Sequence, residues 1–195
     1  MSNFGIDIDD VIFRTSDELK KKFEECDDED ILQHKLEIIR GDIVNPKVGL
    51  FLKENAIPSI ISAEPMQNVA ETFDKLREQS NKIILITARG NIRFPGSEEI
   101  TFRRLKEHGI NYDGIVFNSN DKVKVCKDNN IDIFIDDSPK HCLEVSENLG
   151  IPVIGFESVI NREEMQKNNI RCIRSWDELD NALEAISQKR SLQLK

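Results

Sequence analysis

Apolar and polar positions follow two rhythms along this chain. Short runs rich in isoleucine and valine read as buried strands: Phe4–Ile8, Lys82–Ile86, Gly114–Phe117, Ile131–Ile135, Val153–Phe156 and Arg171–Ile173. Between them lie stretches whose apolar residues recur at helical spacing. Val69, Ala70, Phe73 and Leu76, for example, share one helix face. Strands alternating with amphipathic helices predict an α/β fold with a mainly parallel sheet flanked by helices. Near the end, Ser175-Trp176-Asp177-Glu178 has the form of a capping box opening the last helix.

One segment breaks the alternation. From Ser16 to about Glu64 there is no convincing strand, and the pattern predicts helices over Asp17–Cys26, Glu29–Arg40 and Pro46–Asn55. Asn45-Pro46 suits a helix start, with proline in the first turn. This is too much chain for a simple crossover. We read residues 16–65 as a small helical cap inserted after the first strand, where it could cover the loop that follows that strand. Ala63-Glu64-Pro65 marks the return. Residues 1–15 and 66–190 then form the α/β core, and 191–195 a flexible tail. The acidic run Glu24–Asp30 reads as a solvated connection between helices rather than a metal site.

Composition narrows the function classes. The chain has 195 residues, enough for one domain with an insertion. Charged residues are 32% and hydrophobic residues 38%, which favours a soluble cytoplasmic protein over a membrane one. No apolar stretch is long enough to span a bilayer. The N-terminus has neither the basic region nor the apolar segment of a signal peptide. A net charge of −9 argues against binding a nucleic acid polymer, which needs a basic surface. It leaves room for a small phosphorylated substrate, because a metal and a few cations can set the field within a pocket. The four cysteines lack CxxC spacing and pair with no histidine at zinc spacing, so they read as reduced packing residues.

The candidate chemistry lies at strand ends. Asp7 and Asp9 follow the first strand two residues apart and can point to the same side. One carboxylate can attack phosphorus and the other can carry the proton; alternatively the strand ends in a polar turn. Thr87-Ala88-Arg89 follows the second strand. Its hydroxyl and free amides suit phosphate, or Thr87 merely caps the turn, and Arg89 either binds substrate or pairs with carboxylates. Lys122 opens a helix near the same end of the sheet, as a phosphate ligand or as an exposed lysine. Asp136 and Asp137 follow the fourth strand, as a metal site or as part of a helix cap. Carboxylates crowded beyond strand ends repel one another, which calls for a hard cation such as Mg2+.

In this order, acid pair, threonine, lysine, acid pair, the sequence resembles the haloacid dehalogenase (HAD) superfamily of phosphohydrolases over residues 4–15 and 66–157. The resemblance implies a Rossmann-like core. It also implies Asp7 as nucleophile, Asp9 as general acid and base, and Thr87, Ala88, Arg89 and Lys122 as substrate or phosphate ligands. Mg2+ would be held by the Asp7 carboxylate, the Asp9 backbone carbonyl and Asp136, with Asp137 as a further metal acid. The chain looks most similar to the 5'(3')-deoxyribonucleotidase-like group, on Ile86-Thr87-Ala88-Arg89, His108-Gly109-Ile110, Tyr112-Asp113 and Ile133–Pro139. That implies a nucleotidase acting on nucleoside monophosphates. Two departures stand out: Asp10 occupies a position where glycine is usual, and the insertion holds few aromatics, Phe23 and Phe51, with Phe13 just before it. Competing readings are a phosphatase acting on a sugar phosphate or another small ester, a phosphomutase, and a non-catalytic binding module. A signalling receiver domain fits poorly, because it has neither the helical insertion nor a second acid pair.

Overall fold

The computed structural model describes residues 1–39 and 43–193. In chain order the elements begin with β1 (Asn3–Ile6), α1 (Thr15–Glu24), α2 (Glu29–Leu32), α3 (Lys35–Ile39), α4 (Pro46–Ser62) and α5 (Val69–Glu78). They continue with β2 (Lys82–Ile86), α6 (Ser97–Glu107), β3 (Gly114–Val116), α7 (Lys122–Asp128), β4 (Ile133–Asp136) and α8 (Pro139–Leu149). The chain closes with β5 (Val153–Phe156), α9 (Arg162–Lys167), β6 (Cys172–Ile173) and α10 (Leu179–Gln193). Among the described residues the sheet has six strands, all parallel, in the order β3-β2-β1-β4-β5-β6. The chain steps outward from β1 to β3 and then returns to the other side of β1 for β4. The switch point therefore lies between β1 and β4, where open α/β sheets form a ligand crevice.

The strands are apolar on both faces because helices cover both. Phe4, Ile6, Ile83, Leu85, Ile133 and Ile135 belong to the main core, and Ile86 and Phe134 pack with Cys126 and Val145 beneath α7 and α8. Val69, Phe73 and Leu76 bury the inward face of α5. Trp176 is fully buried, edge-on to Phe73, and its indole N–H donates to the Val11 carbonyl at 3.0 Å. All four cysteines are free. No helix among the described residues is long and apolar enough to cross a membrane.

The helices between β1 and α5 form an apolar cluster of their own, with Phe23, Ile31, Ile38, Val48 and Leu52 at its centre. The two connections to the sheet run side by side. Phe13 bridges to Pro65, the Arg14 amide donates to the Glu64 carbonyl at 2.9 Å, and the Met66 amide donates to Ile12 at 2.7 Å.

Several boundaries differ from the sequence expectation. β1 ends at Ile6 because the Ile8 carbonyl accepts the amides of both Ile12 and Phe13, which turns the chain. The expected helix over Glu29–Arg40 is two short helices, and its last residue lies outside the described residues. His34 closes the break with a bond to Ile31 three residues back. α4 runs beyond Asn55 to Ser62 through Pro58, because the buried stripe of Val48, Leu52, Ala56 and Ile60 continues past the proline. The expected capping box does not form: Glu178 accepts from the Arg174 amide at 2.9 Å, Ser175 makes no side-chain cap, and a short 3-10 turn precedes α10. α10 carries the backbone to Gln193, so 191–193 of the expected tail are helical and the last two residues lie outside the described ones.

Candidate active site

Carboxylates from two strand ends meet at the switch point. Asp7 follows β1, and its amide still pairs with Ile135 of β4 at 2.9 Å, which fixes its side chain at the sheet's end. Asp136 closes β4 and is buried. Between them sits Lys122. Asp121 caps α7 by accepting the Lys124 amide at 2.8 Å, which sets Lys122 in the first turn. Its ammonium donates to Asp7 Oδ1 at 2.5 Å and to the Ile86 carbonyl at 2.5 Å, and lies 3.8 Å from Asp136 Oδ2. Lys122 is therefore a buried cation shared by two acids and not a surface lysine. Burial alone would favour its neutral form, but Asp7 and Asp136 outweigh burial and hold its pKa above the ordinary value.

Arg89 serves Asp9. The guanidinium is 3% exposed; its Nε lies 3.0 Å from both Asp9 oxygens and its Nη2 donates to Asp9 Oδ1 at 2.7 Å. Thr15 and Thr101 each accept a further N–H of the group, at 3.0 and 3.3 Å. Desolvation pushes the Asp9 carboxyl up, but Arg89 overrides it and keeps the group below the usual carboxylate range. Thr87 is fully buried, and its hydroxyl accepts the Arg89 amide at 3.0 Å. It braces the turn and is not part of the cavity wall, whereas Ala88 and Arg89 are. Gly90 completes the turn; a Cβ there would lie 2.0 Å from the Asn118 side-chain oxygen, so a larger residue would displace the Asn118 amide.

Asp10 has a left-handed backbone, φ 56°, which is why glycine suits its position. Its carboxylate accepts the Ser16 amide at 2.9 Å and so caps the start of α1. Burial pushes the Asp10 carboxyl up to about 6, with Ser16 opposing and Asp9 adding to the rise. Burial likewise pushes Asp7 up to about 7; Lys122 opposes this, and Asp136 and Asp9 reinforce it. Asp137, half-buried, is raised well above the usual range by burial and by the charges of Asp136, Asp10 and Asp7.

A cavity of about 410 Å3 opens over these groups. Its floor includes Asp7, Asp9, Asp10, Lys122, Asp136 and Asp137. Its opposite wall comes from the helical insertion, with Leu19 of α1, Ile38 and Ile39 of α3, and Leu52, Ala56 and Ile60 of α4. The insertion's aromatic pair lies elsewhere: Phe23 and Phe51 stack at 5.3 Å within its own cluster.

Sequence reasoning missed several residues here. His141 accepts a place on the cavity wall and lies 3.2 Å from Asp136 Oδ2; burial lowers its basicity, but the hydrogen bond to Asp136 outweighs that and raises its pKa. Ser138 caps α8 with its hydroxyl, while its amide donates to Asp136 Oδ1 at 2.8 Å. The cap reading of this loop therefore holds for Ser138, and it leaves Asp136 and Asp137 facing the cavity. Asn161 donates to the carbonyls of Asp137 at 2.6 Å and Phe156 at 3.0 Å, tying the β5 loop to the β4 loop. Arg93 and Phe94 reach the cavity from the loop after β2. Position five after Asp136 was the available signal for His141; nothing in the local sequence marks Asn161.

The donor set fits a hard divalent cation. Among the described residues no three His, Cys, Asp or Glu side chains form a ready-made metal cage. Mg2+ does not require one, because it binds through one or two carboxylates and keeps several waters. Asp7, Asp10 and Asp137 line one cavity, and the charges of neighbouring carboxylates add to burial in raising their pKa values.

No protein-family model matches the chain. A provisionally named nucleotidase of Bacillus subtilis (strain 168) is 33% identical over 111 residues, covering 56% of this chain and 54% of that protein. A nucleotidase of Clostridium acetobutylicum is 28% identical over 124 residues, covering 63% of this chain and 61% of that protein. The chain thus matches between about half and three fifths of the length of these relatives. A HAD family hydrolase of Deinococcus radiodurans, solved with bound phosphate and sodium, superposes with a TM-score of 0.62 at 13% identity, over 94% of this chain and 95% of that one. In fold the chain is similar to this HAD family hydrolase, and its sequence relatives carry nucleotidase names.

Proposed function

We propose that the protein is a Mg2+-dependent phosphomonoesterase that releases phosphate from nucleoside monophosphates through an aspartyl-phosphate on Asp7. The observation that carries this reading is the pairing of Asp7 with Lys122 at 2.5 Å on the cavity floor, with Asp9 two residues away on Arg89. A nucleophile, a phosphate-binding cation and a second carboxylate thus share one crevice. The nucleotidase names of the relatives support the substrate class.

In the first step an Asp7 oxygen bonds to phosphorus, the bond from phosphorus to the leaving oxygen breaks, and Asp9 gives that oxygen its proton. In the second step water attacks phosphorus, its proton passes to Asp9, the Asp7–phosphorus bond breaks and inorganic phosphate leaves. Arg89 favours ionised Asp9, which suits the second step. The proton that Asp9 gives in the first step is the one it takes from water in the second step of the preceding turnover. Lys122 offsets phosphate charge, and Thr87 acts by bracing the Ala88–Arg89 turn. Mg2+, held by Asp7 and Asp136 with Asp137 beside them and the Asp9 carbonyl as the resemblance implies, would offset charge on the phosphoryl oxygens.

Residues 16–65 serve as the cap that excludes water and chooses the leaving group, over a core of 1–15 and 66–190. A nucleotide substrate and four free cysteines suit the cytoplasm. The test is phosphate release from 5'- and 3'-nucleoside monophosphates and sugar phosphates, with Mg2+ and with a chelator. Mg2+-dependent release that is strongest on nucleotides is expected. Preferential release from sugar phosphates would overturn the substrate class, and no release from any ester would overturn the reaction.

A further inference from the structure

The cap wall of the cavity is aliphatic apart from Ser16 and Ser59, and among the described residues the Ser59 hydroxyl has no partner. Ser59, on α4, is 1% exposed and lines the cavity, and its Oγ makes no hydrogen bond. Serine within a helix ordinarily returns its hydroxyl to a carbonyl in the preceding turn. A buried polar atom left unmade is costly and asks for an explanation. Ser59 sits directly after Pro58, in a helix whose neighbouring inward residues are Leu52, Ala56 and Ile60. Alanine would serve packing there without an orphaned hydroxyl.

We propose that Ser59 is a specificity-determining residue, whose hydroxyl meets the polar edge of a nucleobase on the leaving group. This rests on the phosphomonoesterase reading above. The shape of the wall favours a base over a sugar. A nucleobase is apolar on its faces and polar on its rim, so aliphatic side chains and one hydroxyl suit it. A sugar phosphate would turn several hydroxyls toward Leu19, Ile38, Ile39 and Leu52, where they would find no partners. Ser59 acts on the leaving group and takes no part in the bond-making at phosphorus.

The experiment compares kcat/KM for a nucleoside 5'-monophosphate and for ribose 5-phosphate, in the wild type, Ser59→Ala and Ser59→Thr. The wild type should prefer the nucleotide. Ser59→Ala should lower that preference roughly 10- to 100-fold, the scale of one buried hydrogen bond, mostly through KM. Ser59→Thr, which keeps the hydroxyl, should recover part of the preference. Urea unfolding should find Ser59→Ala at least as stable as the wild type, because the orphaned group is gone. An unchanged ratio in an active Ser59→Ala enzyme would overturn the role of Ser59 and leave the phosphatase reading standing. A clearly destabilised Ser59→Ala would also overturn it, by showing that the hydroxyl serves the fold. No turnover of either ester by the wild type with Mg2+ would overturn both.

Discussion

Arg89 grips Asp9 across 80 residues of chain, with its Nε 3.0 Å from both carboxylate oxygens and its Nη2 2.7 Å from one of them. A guanidinium can do this because it is a planar fork, and Thr15 and Thr101 fix the fork by each accepting a further N–H. Arg89→Lys keeps the charge and removes the fork. We expect kcat to fall about 10- to 100-fold, the scale of a misplaced catalytic group. The thermal midpoint should also fall, because Thr15 and Thr101 lose a buried partner. Steady-state kinetics and a thermal melt on the same preparation check both. An unchanged kcat would separate Asp9 from the chemistry.

Removal of metal should be visible without any substrate. Asp7, Asp9, Asp10, Asp136 and Asp137 all face one cavity, with Lys122 and Arg89 paired to them. Mg2+ at tenfold its dissociation constant should stabilise the fold by about 1.4 kcal/mol. Calorimetric or fluorescence melts with Mg2+ and with a chelator measure this. Identical melts over a wide Mg2+ range would contradict the donor set assigned here.

Asn161 should matter although it carries no charge. It is 5% exposed and joins the Asp137 and Phe156 carbonyls, while its own oxygen accepts the Ser158 amide at 2.7 Å. Asn161→Ala would strand these groups, at a cost of about 1–3 kcal/mol. Urea unfolding reads the loss, and weaker Mg2+ dependence of activity should accompany it because the β4 loop is freed.

Asp113 sets a pH dependence away from the cavity. Its carboxylate accepts the Ile83 amide at 2.9 Å and pairs with Arg77 at 3.2 Å. Desolvation opposes the charge, but those bonds win and hold its pKa below the ordinary 3.8. The unfolded chain therefore binds this proton more readily, and stability from Asp113 is complete above about pH 4. It is lost as pH falls through the depressed folded value. Asp113→Asn should cost on the order of 1 kcal/mol at neutral pH, since the group is partly exposed. The gap from the wild type should close on acidification below pH 4. A gap independent of pH would show that the charge contributes nothing.

The sheet was legible because strands buried on both faces leave runs such as Ile83-Ile84-Leu85-Ile86, which no surface element would tolerate. Asp7, Asp9, Lys122, Asp136 and Asp137 were legible as an ordered set, since each stands at a strand end or helix start. Less visible were contacts decided only by folding. Nothing near Arg89 says that its partner is Asp9 rather than a phosphate, and nothing near Thr87 says that its hydroxyl is already engaged by the Arg89 amide. The pattern ends α4 at Asn55, whereas the buried stripe that carries it on through Pro58 to Ser62 is decided by tertiary packing. His141 and Asn161 enter the site through the turns after β4 and β5, which periodicity does not resolve.

The central claim is that Asp7 carries the phosphoryl group. The most direct measurement is acid-quenched trapping of the enzyme during turnover of a nucleoside monophosphate with a radiolabelled phosphate, followed by peptide mapping. The expected result is base-labile label on the peptide containing Asp7, absent from a folded Asp7→Asn variant that releases no phosphate. Label on another residue, or full turnover by Asp7→Asn, would contradict the account.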